Sequence, residues 1–166
     1  MKSINLVCTA LVAGFSCGCS KFGNAAVPAA APVFQKHEPQ PPHGGTAVQL
    51  GEDEYRIEFV RDASAGRLQA FVLDDEMENF IRLPAASFNV VARLPGRNEV
   101  LTLKAVPNNA TGETVGDTAL FEVKSDWLKT TPTFDAVIEE LTVRGHRYQN
   151  IAFNFPKGND TDEKGK

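Results

Sequence analysis

The sequence predicts an all-β domain: an antiparallel β-sandwich of about seven or eight strands with one short helical turn near residues 125–130. Three observations carry that expectation. Across residues 43–156 apolar side chains recur every second position rather than every 3.6. The alternating runs are short and are separated by turn-forming Gly, Pro, Asn and Asp. No long amphipathic segment is present to serve as the crossover helix of a parallel sheet.

The elements follow in order. Tyr55-Arg56-Ile57-Glu58-Phe59-Val60-Arg61 alternates apolar and charged residues, as a half-buried strand does. Asp62-Ala63-Ser64-Ala65-Gly66 is a hairpin loop, and residues 68–73 return as its partner. Residues 87–94 and 99–106 pair around Pro95-Gly96-Arg97-Asn98. Residues 118–124 form a further strand, with Ala119, Phe121 and Val123 on one face. Ser125-Asp126-Trp127-Leu128-Lys129 reads as a capped helical turn ended before Pro132. Residues 134–143 and 147–155 close the domain as a hairpin across Arg144-Gly145-His146, and a slip in apolar phase at Glu139-Glu140 predicts a β-bulge. The expected arrangement is immunoglobulin-like or similar.

Composition narrows the function. The chain has 166 residues, 42% hydrophobic, with 17 Lys plus Arg against 21 Asp plus Glu and a net charge of −4. A nucleic-acid binder needs a basic face to displace counterions from phosphate, so nucleic acid is not an expected partner. The same deficit argues against electrostatic docking on an anionic membrane.

The flanks are of another kind. Met1-Lys2-Ser3 is cationic, and residues 4–15 are nearly all apolar. About twelve residues make roughly 18 Å of helix, short of a hydrocarbon core of about 30 Å, so residues 1–18 read as an export signal. Residues 19–42 hold Pro28, Pro32, Pro39, Pro41 and Pro42 with a run of alanines, the composition of a semi-rigid linker. Residues 157–166 lack apolar side chains and read as a disordered charged tail.

Gly14-Phe15-Ser16-Cys17-Gly18-Cys19 resembles a bacterial lipoprotein processing site. The resemblance implies cleavage before Cys19, or alternatively Cys17, lipidation of that cysteine and anchorage on a bacterial membrane. The family favours Leu three positions before the cysteine, where this chain has Ser16 or Gly14. All three cysteines, Cys8, Cys17 and Cys19, lie in this segment, so the domain has no disulfide and no cysteine nucleophile. The Gly14-x-Ser16-x-Gly18 match to a hydrolase elbow is discounted, because that motif needs a strand-to-helix turn inside a folded domain.

Candidate chemistry is sparse. The histidines are His37, His43 and His146. His37 and His43, with Glu38 between them, form a candidate zinc or copper site. The competing reading is that His43-Gly44-Gly45 leads the chain into its first strand. Asp74-Asp75-Glu76-Met77-Glu78 supplies carboxylates for acid–base work or calcium, but it lacks the order of a calcium loop, and the preferred reading is a solvated connection at the end of a strand. Trp127 is either a surface anchor or a plug at the end of the core.

His43-Gly44-Gly45-Thr46, the strand at 54–60 and Phe71-Val72-Leu73-Asp74 are also similar to envelope domains of uncharacterised bacterial lipoproteins and of heavy-metal efflux adaptors. That resemblance implies an extracytoplasmic β domain and assigns no catalytic residue. The expectation is a lipid-anchored, non-enzymatic binding or interaction module of the cell envelope without an obligatory cofactor, held on the membrane by its lipid and with an envelope protein as candidate partner. The alternatives are a metal-binding or efflux-accessory protein using His37, Glu38 and His43, and a hydrolase built on the acids at 74–78.

Overall fold

The structure is a computed structural model that describes residues 39–52 and 54–160. Cys17, Cys19, His37 and Glu38 lie outside the described residues. The all-β expectation holds: the described residues form eight antiparallel strands and one 3-10 turn. The strands are β1 (Thr46–Leu50), β2 (Tyr55–Asp62), β3 (Arg67–Asp74), β4 (Ser87–Leu94), β5 (Arg97–Ala105), β6 (Leu120–Lys124), β7 (Phe134–Val143) and β8 (His146–Phe155). The 3-10 turn is Asp126–Lys129, where the sequence places it.

The strands form one sheet in the order β1-β2-β3-β6-β5-β4-β7-β8. The sheet is nearly closed and barrel-like, not clearly the two stacked sheets of a sandwich. The reason is local. Lys104 pairs with Glu122 and Ala105 with Phe121, and this short β5–β6 ladder makes one sheet of what would otherwise be two four-stranded halves. The alternating apolar residues point inward from both halves. Phe88 of β4 meets Phe121 of β6 edge-to-face at 5.1 Å, and Phe59 of β2 stacks on Phe153 of β8 at 4.7 Å.

β1 and β8 are the two ends of the sheet, and the chain after β8 reaches across to the first. Gly158 exchanges backbone hydrogen bonds with Asn154, turning the chain back. Asn159 then accepts from the Gln49 amide at 2.7 Å and donates to the Gln49 carbonyl at 3.0 Å. Asp160 pairs with Arg56 at 3.1 Å. Residues 157–160 are therefore tied to the sheet, unlike the free tail expected of them, because Asn and Asp here satisfy an edge strand and a buried arginine. Gly158 has φ +83 and any Cβ would run into the Ala47 carbonyl. Gly158→Ala is expected to cost about 2 kcal/mol in urea unfolding, from strained backbone and a displaced edge.

The expected bulge takes a different form. Burial in β7 slips from Ile138 to Leu141, as the sequence indicates. Yet Ile138 pairs with Ile151 and Glu140 with Gln149, so the register is the same on both sides of the slip. Both strands shift phase together: β8 carries Asn150 at φ +56 opposite Glu139. A one-sided insertion would have changed the register; a paired one does not. Trp127 packs edge-to-face on Phe134 at 5.0 Å, and Phe134 stacks on Phe155, so the tryptophan covers one end of the core.

Candidate functional site

The site is built on the outer face of β2 and β3, where the alternation points charged residues outward. Ala47, Glu58, Phe71 and Leu120 are successive partners across β1, β2, β3 and β6, forming one row. An outward glutamate on such a row would normally be solvated. Glu58 is instead fully buried, because the chain leading into β1 folds over it.

That covering segment is His43-Gly44-Gly45. Gly44 takes φ +67 and its amide donates to the Pro41 carbonyl at 3.1 Å, turning the chain across the sheet. Gly45 presses on β2 so closely that a Cβ would lie 2.5 Å from the Phe59 carbonyl oxygen. Both Glu58 oxygens are taken as a result. Oε1 accepts from the His43 and Gly45 amides at 2.8 Å each, and Oε2 faces the His43 ring Nδ1 at 2.7 Å. With Nδ1 donating to the carboxylate, Nε2 is the remaining polar atom of the ring. It has no hydrogen-bond partner among the described residues.

The imidazole lies flat on Phe71, ring centroids 3.9 Å apart and planes 16° from parallel. Phe80 leans over both rings, 6.0 Å from His43 and 6.2 Å from Phe71. It is half-exposed, an uncommon state for a phenylalanine. These rings form one side of a cavity of about 430 Å³ whose other side is built by Arg82, Thr111 and Glu113. Its size is that of small-molecule sites, roughly 300–1,000 Å³.

The polar wall is partly paired within itself. Arg82 donates to the Thr111 carbonyl at 2.6 Å and to Asp117 at 3.2 Å. Glu113 accepts from the Thr111 hydroxyl at 2.5 Å, the Ala119 amide at 2.9 Å and the Thr118 hydroxyl at 3.3 Å. Burial alone would raise the Glu113 carboxyl, but these donors and the nearby Arg82 charge outweigh it and hold it below the ordinary glutamate value of 4.5. Its folded-state pKa is depressed, so the stability it contributes is complete above 4.5 and is lost as pH falls through the lower folded value. The protection factor of the Ala119 amide against hydrogen exchange is therefore expected to fall as pH drops below 4.5, while that of the Val90 amide of β4 is retained. An equal loss of protection at both would show that Glu113 does not hold this wall.

Of the candidate metal ligands, His43 is at the cavity, and His37 and Glu38 lie outside the described residues. Among the described residues no three His, Cys, Asp or Glu side chains come together as a metal site. Of the acids at 74–78, Asp74 and Asp75 serve separate structural tasks, and Glu76 and Glu78 are exposed. Asp74 accepts from the Glu78 and Asn79 amides and the Asn79 side chain, closing its own loop. Burial opposes its ionisation, and the Asn79 and Glu78 bonds prevail, holding it below the ordinary aspartate value. Asp75 pairs with the buried Arg56 at 3.0 Å. His146 opens β8, paired with Val143 and 3.9 Å from Glu54. Sequence reasoning missed Glu58, Phe71, Phe80, Arg82 and Glu113. The available signal was the pair of glycines after His43, which marks a close approach of backbone to backbone.

No protein-family model, curated protein or solved structure matches this chain.

Proposed function

We propose that this chain is an exported, lipid-anchored and non-enzymatic binding module of the cell envelope, and that its ligand is a small molecule seated against the His43 ring. The observation that carries the proposal is a ligand-sized cavity with an aromatic side and an open polar atom, Nε2 of an imidazole fixed by a buried carboxylate. The remaining polar groups support binding over catalysis: the Thr111 hydroxyl and both Glu113 oxygens are already engaged, so no nucleophile stands beside the base.

An NMR screen of the full chain with a fragment library tests this. Hits are expected to shift the Gly45, Phe71 and Ala119 amides together, and Phe80→Asp is expected to weaken them about tenfold or more. Hits scattered over the barrel, or untouched by Phe80→Asp, would remove the proposed site. For the anchor, intact mass of membrane-extracted protein is expected to show a diacyl addition lost in Cys19→Ser. Loss in Cys17→Ser instead would move the anchor to that residue, and no addition in the parent would end the lipoprotein reading.

The His43–Glu58 pair also favours a second reading. A carboxylate accepting from Nδ1 is the usual means of orienting an imidazole that ligates metal through Nε2. His37 and Glu38 would complete such a zinc or copper site. Calorimetry should then show one-to-one binding abolished separately by His37→Ala and His43→Ala; no heat at micromolar protein eliminates it.

A further inference from the structure

We propose that the ligand of the His43 cavity is a neutral planar ring bearing a hydroxyl group, a phenol-type aromatic alcohol; the inference rests on the binding function proposed above. Shape comes first. Phe80 is tilted 48° from the His43 plane and 54° from the Phe71 plane, so it stands at an angle to that stack with its own ring half-exposed. A flat ring can lie on the exposed surface of Phe80 or present its edge to it, the two arrangements aromatic pairs prefer. A cavity of about 430 Å³ suits one or two rings.

Charge comes next. Arg82 is the cationic side chain at the cavity, and its charge is already paired with Asp117 and lies near the Glu113 carboxylate. A ligand carboxylate or phosphate would meet two carboxylates around that one guanidinium. Glu58 and Glu113 are the carboxylates, and every oxygen of both is already an acceptor. A ligand ammonium therefore finds no open counterion. Two lining side chains keep an open polar group, His43 at Nε2 and Asn108 at its Nδ2 amide, and the ligand must satisfy them without a charge of its own.

A hydroxyl does this in either state of the ring. It donates to the Nε2 lone pair of neutral imidazole, and it accepts from Nε2–H of imidazolium. A ketone or ether serves only the second, and an indole N–H only the first. Because Glu58 fixes the ring through Nδ1, Nε2 is held in place, and the cost of ordering it is already met in the free protein.

The test uses full-length ¹⁵N-labelled chain and four probes of one shape: p-cresol, toluene, p-toluate and benzyltrimethylammonium. Amide shifts of Gly45, Phe71 and Ala119 give the affinities. p-Cresol is expected to bind about tenfold more tightly than toluene, the effect of one hydrogen bond, and both ions are expected to bind more weakly than toluene. In His43→Phe, p-cresol should fall to the affinity of toluene while toluene itself is retained. The wild-type Nε2 resonance should move with p-cresol and stay fixed with toluene, a measurement independent of how the variant folds. Toluene or either ion binding as tightly as p-cresol, or an Nε2 signal indifferent to p-cresol, would overturn the aromatic-alcohol assignment and leave the binding site standing. If none of the four moves those amides, the site and the assignment fall together.

Discussion

Phe59→Ala is expected to destabilise the domain by about 4 kcal/mol, the upper part of the range for truncating a buried aromatic ring. Phe59 is fully buried, and its ring stacks on Phe153 with planes 8° apart. Their strands, β2 and β8, are not neighbours in the sheet; β1 and the open seam lie between them. The pair therefore does more than fill volume: it joins the first strands to the last where no ladder does. Removing the ring deletes its apolar transfer energy and leaves a cavity that a curved sheet cannot easily collapse to fill. Urea unfolding should show the loss as a lower midpoint with the slope unchanged. The matching control is Phe80→Ala at the cavity rim, where exposure limits the expected cost to about 0.5 kcal/mol. A Phe59→Ala loss below about 1 kcal/mol would mean that the seam is held by its edges and not by its packed interior.

The same seam shows where the sequence is legible and where it is not. Alternation located the hairpin of β2 and β3, the pair β4 and β5, and the final hairpin, because one buried face imposes a period of two on the residues themselves. It is silent on which half of a sheet joins which. The link between β5 and β6 consists of Lys104–Glu122 and Ala105–Phe121, and nothing in either strand's pattern specifies its partner. That is why two stacked sheets and one curled sheet look alike in sequence. The slip in β7 was visible at Glu139-Glu140, whereas its counterpart at Asn150 was hidden, since Gln149, Asn150 and Asn154 pass as ordinary outward polar residues. Asn159 and Asp160 read as tail residues for a similar reason. Their partners, Gln49 and Arg56, lie more than a hundred positions away.

The site follows the same logic more severely. Glu58 sits at an outward position of an alternating strand, where a glutamate ordinarily meets water. It is buried by residues 13 and 15 positions earlier, through hydrogen bonds from Gly45 and His43. His43 was legible as a candidate ligand because histidine is scarce in this chain. Its carboxylate partner was not, since Glu38 is nearer in sequence and Glu58 is nearer in space. Phe71 and Phe80 were likewise indistinguishable from core aromatics until the fold placed them outside the barrel.

Glu58→Ala should cost about 3 kcal/mol and remove the ligand site at the same time. The substitution leaves the His43 and Gly45 amides and the His43 Nδ1 facing a void, and each unsatisfied buried donor costs roughly 1–3 kcal/mol. Partial entry of water recovers some of this, which brings the sum down to the stated loss. An exposed pair such as Arg97–Glu99 gives the contrast, since breaking it should change stability by less than about 1 kcal/mol. Glu58→Gln separates structure from chemistry. Its carbonyl oxygen can still accept from the two backbone amides, so the expected loss is only about 1 kcal/mol. Its amide group, however, now donates towards Nδ1, which must become the acceptor and pass the ring proton to Nε2. The polar atom at the cavity is thereby converted into an obligatory donor, a change that ¹⁵N shifts of the imidazole report directly. An indole N–H, which serves only the Nε2 lone pair, should lose affinity in Glu58→Gln far beyond what the small stability change explains, whereas the p-cresol hydroxyl can turn to accept from Nε2–H and should keep most of its own. If Glu58→Ala costs less than about 1 kcal/mol, or Glu58→Gln leaves the imidazole nitrogens as they were, the carboxylate is not what fixes His43 and the site loses its rigid polar atom.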